Sequence, residues 1–579
     1  MCGYNLCMES YELRARVREV IAQATGLDEV AVSVPKHPEH GHYTTPLALR
    51  IGRSSARENA MEAAARLAGK IRAHPSAGAL IEKVEAAPPG FLNFWVTPSA
   101  VQYAFSALAA RGAAFWTSRE GEGKRVIVEY SQPNIAKRMH VGHLRTTIIG
   151  DALARLYRAL GYTVVRWNYL GDWGTQFGKL IAAYKRWGDE AVVRRSPIQS
   201  LLQLYIKFHD AARDNPELEE EGRREFKKLA DGDPENVKLW KWFKEESLKE
   251  FQALYAKLGV AFDLYWGESR FDKDAALLVE ELLKKGVAQH SEGSVIVPLE
   301  QFGLPPALLR KSDGATLYLS RDVASLRYRL ATYHPERILY VVANEQSLHF
   351  QQLFALARLL RLDGAELVHV KYGMMLGPDG KKFATREGRA IAADDLIQQI
   401  IEKSYAVVSE KRPDLPEARR REIAHAIGIG ALKYNDLKEH RLSDIVFDWK
   451  QMLSFRGNSA PYLQYTYARF ASITRKFGKG EKNDQYAVHL THPLELQLIR
   501  HLTEYPATLR NSAYAYLPHL LAGYLYALCE IGNKWYETVP IGNEQDDGVR
   551  AARLALLDIT AHTLKKGLEL LGISTPEEI

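Results

Sequence analysis

Two histidines flank one glycine at His140-Val141-Gly142-His143, inside the stretch NIAKRMHVGHLR that runs from Asn134 to Arg145. Three roles suit such a pair. Imidazoles three apart on a helix share a face and can hold a metal. They can donate N–H groups to a phosphate as charge develops on it. They can also do neither and simply cap a helix. The metal role lacks partners, since no HExxH pattern occurs and no nearby cysteine or carboxylate completes a ligand set. Neither zinc nor any other resident metal is expected. Position favours the phosphate role, because the histidines follow an apolar strand and open a helix, where ligands of open α/β sheets bind. Gly142, lacking Cβ, would let a flat base lie against the backbone. Capping and phosphate binding both remain open on these residues alone.

The elements that must position the histidines can be read outward from them. RVIVEYS (125–131) is β-branched and apolar, as in a buried parallel strand. From Gly142 to Leu160 the pattern is helical, with Leu144, Ile148, Ile149, Leu153, Leu156 and Leu160 on one face and Gly161 at its end. YTVVRWNYL (162–170) is a second strand, which completes a right-handed βαβ unit. Upstream, SYELRARVREVIAQATG is helical and GFLNFWV is a strand, with SREGEGKR (118–125) as a linker. Downstream, 195–290 is charge-rich at helical spacing and is expected to be a helical insertion. GSVIVPL, ATLYLS, RILYVVAN and ELVHVKYGMML resume the strands, and SEKRPDLPEARR (409–420) is a second candidate linker. From about 421 the chain is helical and rich in tyrosine.

The totals bound the class. The 579 residues are 46% hydrophobic and 25% charged, the balance of a soluble multidomain protein. The net charge of +7 permits a polyanionic partner such as RNA. The three cysteines, Cys2, Cys7 and Cys529, form no CxxC pair, which excludes a zinc ribbon and a disulfide framework. No apolar run approaches a membrane span and the N-terminus lacks the layout of a secretory signal, so the cytoplasm is expected.

The HVGH stretch resembles the HIGH signature of class I aminoacyl-tRNA synthetases, which nucleotidylyltransferases share. Its surroundings narrow the likeness. SQPNIAKRMHVGHLRTTIIGDALAR, NYLGDWGTQFGKL, LYLSRDVA, APYLQYTYARF, the ending LGISTPEEI and the early PKHPEHGHYTTPLALR together resemble the arginyl-tRNA synthetases over nearly the whole chain. The resemblance implies a multidomain α/β protein. It would comprise an α+β tRNA-contacting domain at 1–117 and a Rossmann-type parallel-sheet catalytic domain at 118–390 with the helical insertion. A connecting stem-contact region at 391–445 and an all-α anticodon-binding domain at 446–579 would follow. It also implies that ATP, with Mg²⁺, and L-arginine form arginyl-adenylate, and that arginine then passes to the 3′-terminal adenosine of tRNA(Arg). Arginyl enzymes commonly need bound tRNA for the first step. A monomer is expected.

The same resemblance assigns side chains. Glu129, Gln132, Asn134, His143, Tyr318, Asp322 and Gln346 fall in the arginine pocket. Carboxylates there make chemical sense, because a desolvated guanidinium needs anions at fork spacing. On the residues alone, Asp322 equally suits a helix N-terminus and Tyr318 a core aromatic. Bidentate recognition of that kind rejects lysine, so the insertion is expected to have no editing role. His140, Gly142 and His143 are the expected ATP contacts. The loop that usually reads KMSKS is GPDGKKFATREG (377–388) here, and Lys382-Phe383-Ala384-Thr385-Arg386 lacks the second lysine. Lys137, Lys381, Lys382 and Arg386 are the candidate replacements, with Lys137 and Lys382 read as catalytic. Aromatic and basic residues interleave at Tyr462, Tyr465, Tyr467, Arg469 and Lys476, as unstacked RNA bases require. Tyr462, Tyr465 and Arg469, with Asn93 for the D-loop, are the expected tRNA contacts. Two other classes compete. A catalytically silent RNA-binding relative would fit the altered loop, and a small-molecule nucleotidylyltransferase would fit HxGH alone. A cysteinyl enzyme lacks its zinc ligands in this chain.

Overall fold

The computed structural model describes residues 11–54, 59–377, 379–381, 391–478 and 484–579. At its centre lie five parallel strands: β1 (Arg125–Glu129), β2 (Thr163–Asn168), β3 (Leu264–Tyr265), β4 (Arg337–Val341) and β5 (Glu366–Val370), in the order β5-β4-β1-β2-β3. Val126, Ile127 and Val128 of β1 are fully buried, as a continuous apolar run in a covered sheet requires. The chain lays down β1 to β3 on one side and then β4 and β5 on the other. The switch point therefore falls between β1 and β4, at their C-terminal ends.

Helix α1 (Val141–Ala159) joins β1 to β2. Its expected apolar face is buried, and Gly161 follows it at φ +90°, where a Cβ would meet the Ser118 carbonyl at 2.7 Å. The opposite face is buried too, including Arg145 and Asp151. That face meets the C-terminal third of the chain, which the helical period could not show.

Four expectations change. The helical body begins earlier, with Thr175–Trp187, Glu190–Arg195, Pro197–Asp214, Glu217–Ala230 and Pro234–Leu258, and the chain returns to the sheet as β3. Within 195–290 the helical run is thus interrupted by a strand. ATLYLS is not a strand: helix α2 (Tyr318–Tyr333) starts inside it. Ser320 is responsible, because its hydroxyl oxygen accepts from the Leu317 N–H at 3.1 Å and turns the short aromatic run into a helix start. GSVIVPL lies in a separate antiparallel sheet of Gln289–Ser291, Ser294–Val297 and Ala307–Arg310. The 409–420 stretch is a tight hairpin between helices Ala393–Lys411 and Glu417–Leu437 rather than a linker.

The N-terminal part packs helices on an antiparallel sheet of Tyr43–Thr45, Phe91–Val96 and Ile81–Ala87. The C-terminal part is helical: Ala460–Phe477, Pro493–Thr503, Tyr505–Tyr514, His519–Thr538 and Asp547–Leu570. The two ends meet, with Gln102 donating to the Val488 and Leu490 carbonyls and Arg510 paired to Glu12 at 2.8 Å. Among the described residues, no helix is long and apolar enough to cross a membrane.

Candidate active site

The loop leaving β1 is strained. Ser131, Gln132 and Ala136 all have positive φ (77°, 49° and 60°). Each such non-glycine residue costs about 1–3 kcal/mol and needs its surroundings to hold it. The Ser131 N–H donates to Thr146 Oγ1 at 3.2 Å, and Thr146 Oγ1 donates to the Val341 carbonyl at 2.7 Å. Ser131 Oγ lies 2.6 Å from the Tyr255 hydroxyl, and the Ala136 N–H donates to Ser247 Oγ at 2.9 Å. The loop is clamped between β4, α1 and the helix Pro234–Leu258 of the insertion.

The histidines sit at the start of α1 and cap it reciprocally. His140 Nδ1 accepts from the Gly142 N–H at 3.1 Å, and His143 Nδ1 accepts from the His140 N–H at 3.1 Å. A neutral imidazole that accepts at Nδ1 carries its proton on Nε2. Each ring therefore carries its N–H on Nε2, at the N-terminus of α1. Burial pushes His143 down to about 3, with the charge of His140 adding to the shift, so His143 is neutral at physiological pH. A Cβ on Gly142 would meet His140 Cε1 at 2.9 Å, which gives this glycine a packing reason.

An acidic pocket lies beside the same switch point. Glu129 ends β1 and is buried, and its carboxyl is engaged at both oxygens, by Gln132 Nε2 at 3.0 Å and by Arg329 of α2. Burial pushes Glu129 up, opposed by Arg329 and reinforced by Asp322. The Arg329 guanidinium lies 4.3 Å from the Trp167 ring and also faces Tyr169 and Tyr340. Glu129 is thus not an open carboxylate but the partner of a resident guanidinium. Asp322, one turn into α2, is the more open acid, with Oδ2 held at 2.6 Å by His349 Nε2 and a side-chain exposure of 20%. Burial works to lower His349, and the hydrogen bond and charge of Asp322 raise it overall.

A third acid completes the pocket. Glu268 is buried and pairs with Arg321 at 2.8 Å. Burial pushes it up to about 8 against the pull of Arg321, with Asp322 and Asp172 adding to the rise. The Tyr169 hydroxyl, buried without a hydrogen-bond partner, feels Asp322, Glu268 and Glu129 together. Sequence reasoning missed Glu268, because the 195–290 span hid the short strand β3 whose C-terminal end precedes it. The acid in YWGESR, just past the end of a parallel strand, was the available signal.

The other expected residues divide. Tyr318 begins α2 one turn before Asp322, is 53% exposed, and has the Arg321 guanidinium 5.1 Å from its ring centroid. Asn134 is exposed and bridges to Gly171, where a Cβ would strike Asn134 Oδ1 at 2.0 Å. Gln346 is exposed in the turn Asn344–Gln346 after β4. Lys137 is exposed and sits 5.4 Å from the ring centroid of Tyr205, on the insertion helix Pro197–Asp214. Lys381 is exposed in a turn closed by the Gly377 N–H on its carbonyl at 2.8 Å. Lys382, Phe383, Ala384, Thr385 and Arg386 lie outside the described residues. Where the chain resumes, the Val141 N–H donates to the Ile391 carbonyl at 3.2 Å and the Ala393 N–H to Met139 at 2.9 Å. From residue 391 the chain is therefore paired to the backbone around the start of α1.

The expected tRNA contacts fare unequally. Asn93 is 4% exposed and its Oδ1 accepts from Thr44 Oγ1 at 2.8 Å, which ties the carbonyl side of its amide to the neighbouring strand. Tyr462, Tyr465 and Arg469 line one cleft of about 850 Å³ with Arg412, Arg456 and Lys534. The Arg469 guanidinium lies 5.2 Å from the Tyr465 ring and 5.4 Å from that of Tyr536. Tyr467 is buried, with Lys565 against its ring.

Comparison with known proteins agrees with this layout. Residues 106–449 match the family "tRNA synthetases class I (R), catalytic domain". Residues 463–579 match "DALR anticodon binding domain", and residues 11–96 match "Arginyl tRNA synthetase N terminal domain". The chain is 41% identical to the arginine–tRNA ligase of Clostridium perfringens, covering 97% of this chain and 98% of that protein. It is 42% identical to that of Clostridium acetobutylicum over 86% and 88%. The solved arginyl-tRNA synthetase of Plasmodium falciparum superposes with a TM-score of 0.82 at 27% identity, covering 98% and 99% of the two chains.

Proposed function

The chain belongs to the arginyl-tRNA synthetase family, and we propose how its own residues carry the arginine–tRNA ligase reaction. The carboxylate of arginine attacks the α-phosphorus of ATP, a new P–O bond forms and pyrophosphate leaves. A ribose hydroxyl of the tRNA 3′ end then attacks the acyl carbon and AMP leaves. Negative charge grows on the phosphate oxygens in the first step. His140 and His143 meet it with Nε2–H donors whose Nδ1 atoms are already committed to the backbone, so no reorganisation is needed. Donation by neutral imidazole also avoids burying a cation at His143.

Asp322 takes the substrate guanidinium, with Tyr318 one turn away lying along it, while Glu129 and Glu268, tied to Arg329 and Arg321, shape the pocket behind it. The arrangement favours a planar fork over the compact ammonium of lysine. Asn134, packed against Gly171, receives the α-ammonium beside His143. Lys137 and Lys381, together with Lys382 and Arg386, supply cations for the phosphates. Mg²⁺ arrives with ATP, since it keeps water and phosphate oxygens as ligands and needs no dedicated protein cage. The cleft of Tyr462, Tyr465 and Arg469 stacks anticodon bases. We read the enzyme as a cytoplasmic monomer, because one chain carries the parts that meet arginine, ATP and tRNA.

The observation that carries the reading is the meeting, at one switch point, of two committed imidazole donors and an acidic pocket. Arginine-dependent ATP–pyrophosphate exchange, measured with and without tRNA(Arg), tests it. Exchange is expected with tRNA present, and its absence under both conditions would overturn the proposal.

A further inference from the structure

Helix α1 carries the histidines at its start and a buried acid, Asp151, eight residues after His143, about 12 Å along the axis at 1.5 Å per residue. Four parts of the chain converge on Asp151. Its Oδ2 receives Arg155 Nε at 2.7 Å from the next turn of α1. Arg155 also donates to the carbonyls of Gly259, at the end of the insertion helix, and Glu569, in the last helix of the chain. Lys433, on the helix Glu417–Leu437, places Nζ 3.8 Å from the same Asp151 oxygen and donates to the Gly572 carbonyl at 2.8 Å. Lys433 and Asp151 are buried. At Gly572 (φ +69°) a Cβ would meet Lys433 Nζ at 2.6 Å and Asp151 Oδ2 at 3.0 Å, so the turn is shaped around the pair.

Six residues before Asp151, nearly two turns nearer the histidines, Arg145 is pinned in the same manner. It pairs with Asp436, one turn beyond Lys433, at 3.2 Å, and donates to the carbonyls of Met374, Arg441 and Ser443. The insertion helix that ends at Gly259 is also the one whose Tyr255 and Ser247 hold the strained loop at Ser131 and Ala136. A shift of the last helix or of the Glu417–Leu437 helix therefore has two routes to the HVGH segment, along α1 and through the insertion. Burial pushes Lys433 down to about 8, so keeping a cation there has a cost that an apolar residue of similar volume would not incur.

We propose that Lys433 is a positioning residue: by tying Asp151 of α1 to the Gly572 turn, it couples the seating of the C-terminal domain on tRNA to the placement of His140 and His143. This rests on the reading of that domain as the anticodon contact. Lys433 touches neither arginine nor ATP. It acts through α1.

The test is Lys433→Met, with Lys433→Arg as the conservative variant. The methionine leaves Asp151 paired with Arg155, so no buried acid is orphaned, and thermal unfolding checks that both variants fold. Aminoacylation kcat is measured at saturating tRNA(Arg) and at saturating tRNA carrying a replaced anticodon, and the ratio of the two is compared among enzymes. Lys433→Met is expected to lower that ratio by about fivefold or more, the lower edge of ordinary coupling between sites. The KM values for arginine and ATP should hold, and Lys433→Arg should restore most of the ratio. An unchanged ratio in a folded Lys433→Met enzyme overturns the inference and leaves the anticodon reading intact. A wild-type enzyme that charges both tRNAs with equal kcat and KM overturns that reading itself, and one that discriminates through KM alone overturns only the coupling. Should Lys433→Met fail to fold, Lys433→Gln takes its place, keeping a donor toward the Gly572 carbonyl while removing the charge beside Asp151: a lowered ratio supports the tie and an unchanged one overturns it.

Discussion

Replacing Asp322 by asparagine isolates the charge that receives the substrate guanidinium. Asparagine preserves the volume, and its Oδ1 can still accept from His349 Nε2, which sits 2.6 Å from the native carboxylate. What disappears is one negative charge at the open edge of the pocket. A hydrogen bond to a charged partner contributes about 1.5–3 kcal/mol. The side chain is 20% exposed, enough for water to weaken the pair but not to screen it fully. Glu129 cannot substitute, because Arg329 and Gln132 occupy it, and Glu268 is tied to Arg321. A loss of about 2–3 kcal/mol follows, or about 30- to 150-fold in kcat/KM for arginine at 1.4 kcal/mol per decade. Arginine-dependent ATP–pyrophosphate exchange with saturating tRNA reads it, and the KM for ATP serves as the internal control. A kcat/KM for arginine within about threefold of wild type, under 1 kcal/mol, would refute the assignment of Asp322.

Two further outcomes are open to measurement. Glu268 has a folded pKa raised to about 8 from 4.5. A raised acid contributes stability that is complete below its unfolded pKa and is lost as pH rises from there through the folded one, so this contribution falls between about pH 4.5 and 8 and is gone above. Glu268→Gln should flatten the fall of the melting temperature of the ligand-free enzyme between about pH 5 and 8, and an unchanged slope would remove Glu268 as its source. Lys137→Ala is expected to slow single-turnover adenylation about tenfold or more, worth about 1.4 kcal/mol of barrier. A rate within about threefold would mean that resting on Tyr205 is all this lysine does.

What could be read in the sequence was what a short window encodes. The β1-α1-β2 unit was legible because its apolar run, its helical face and Gly161 all lie within 45 residues and agree with one another. ATLYLS was not, since six residues carry strand character while one serine hydroxyl, folding back on Leu317, decides for helix. Asn93 sits in an aromatic strand, and the partner that orients it, Thr44, is 49 residues away and so outside any local window. Glu268 was hidden for a similar reason, because a two-residue strand inside a helical span leaves no period to detect. The Asp151–Lys433–Gly572 junction lay furthest out of reach. Its members stand far apart in the chain and resemble ordinary helix charges until the fold buries them together.

The choice between capping and phosphate binding for HVGH rested on treating them as rivals. The geometry makes one the condition of the other. A reciprocal cap needs its two side chains at the N-cap and three residues on, the spacing of His140 and His143. Serine and glutamate fill those positions in ordinary helices and spend their acceptor oxygens there. Imidazole differs in having a second nitrogen on the far side of the ring. Committing Nδ1 to the backbone fixes the tautomer, orients the ring and leaves Nε2–H as a donor. A free surface histidine would hold neither its tautomer nor its direction and would pay for both in the transition state. The glycine between the histidines follows from the same demand, since any Cβ there would press on the His140 ring that the cap has fixed. The spacing, the residue type and the glycine thus follow from one requirement, that the donors be set before the phosphate charge appears.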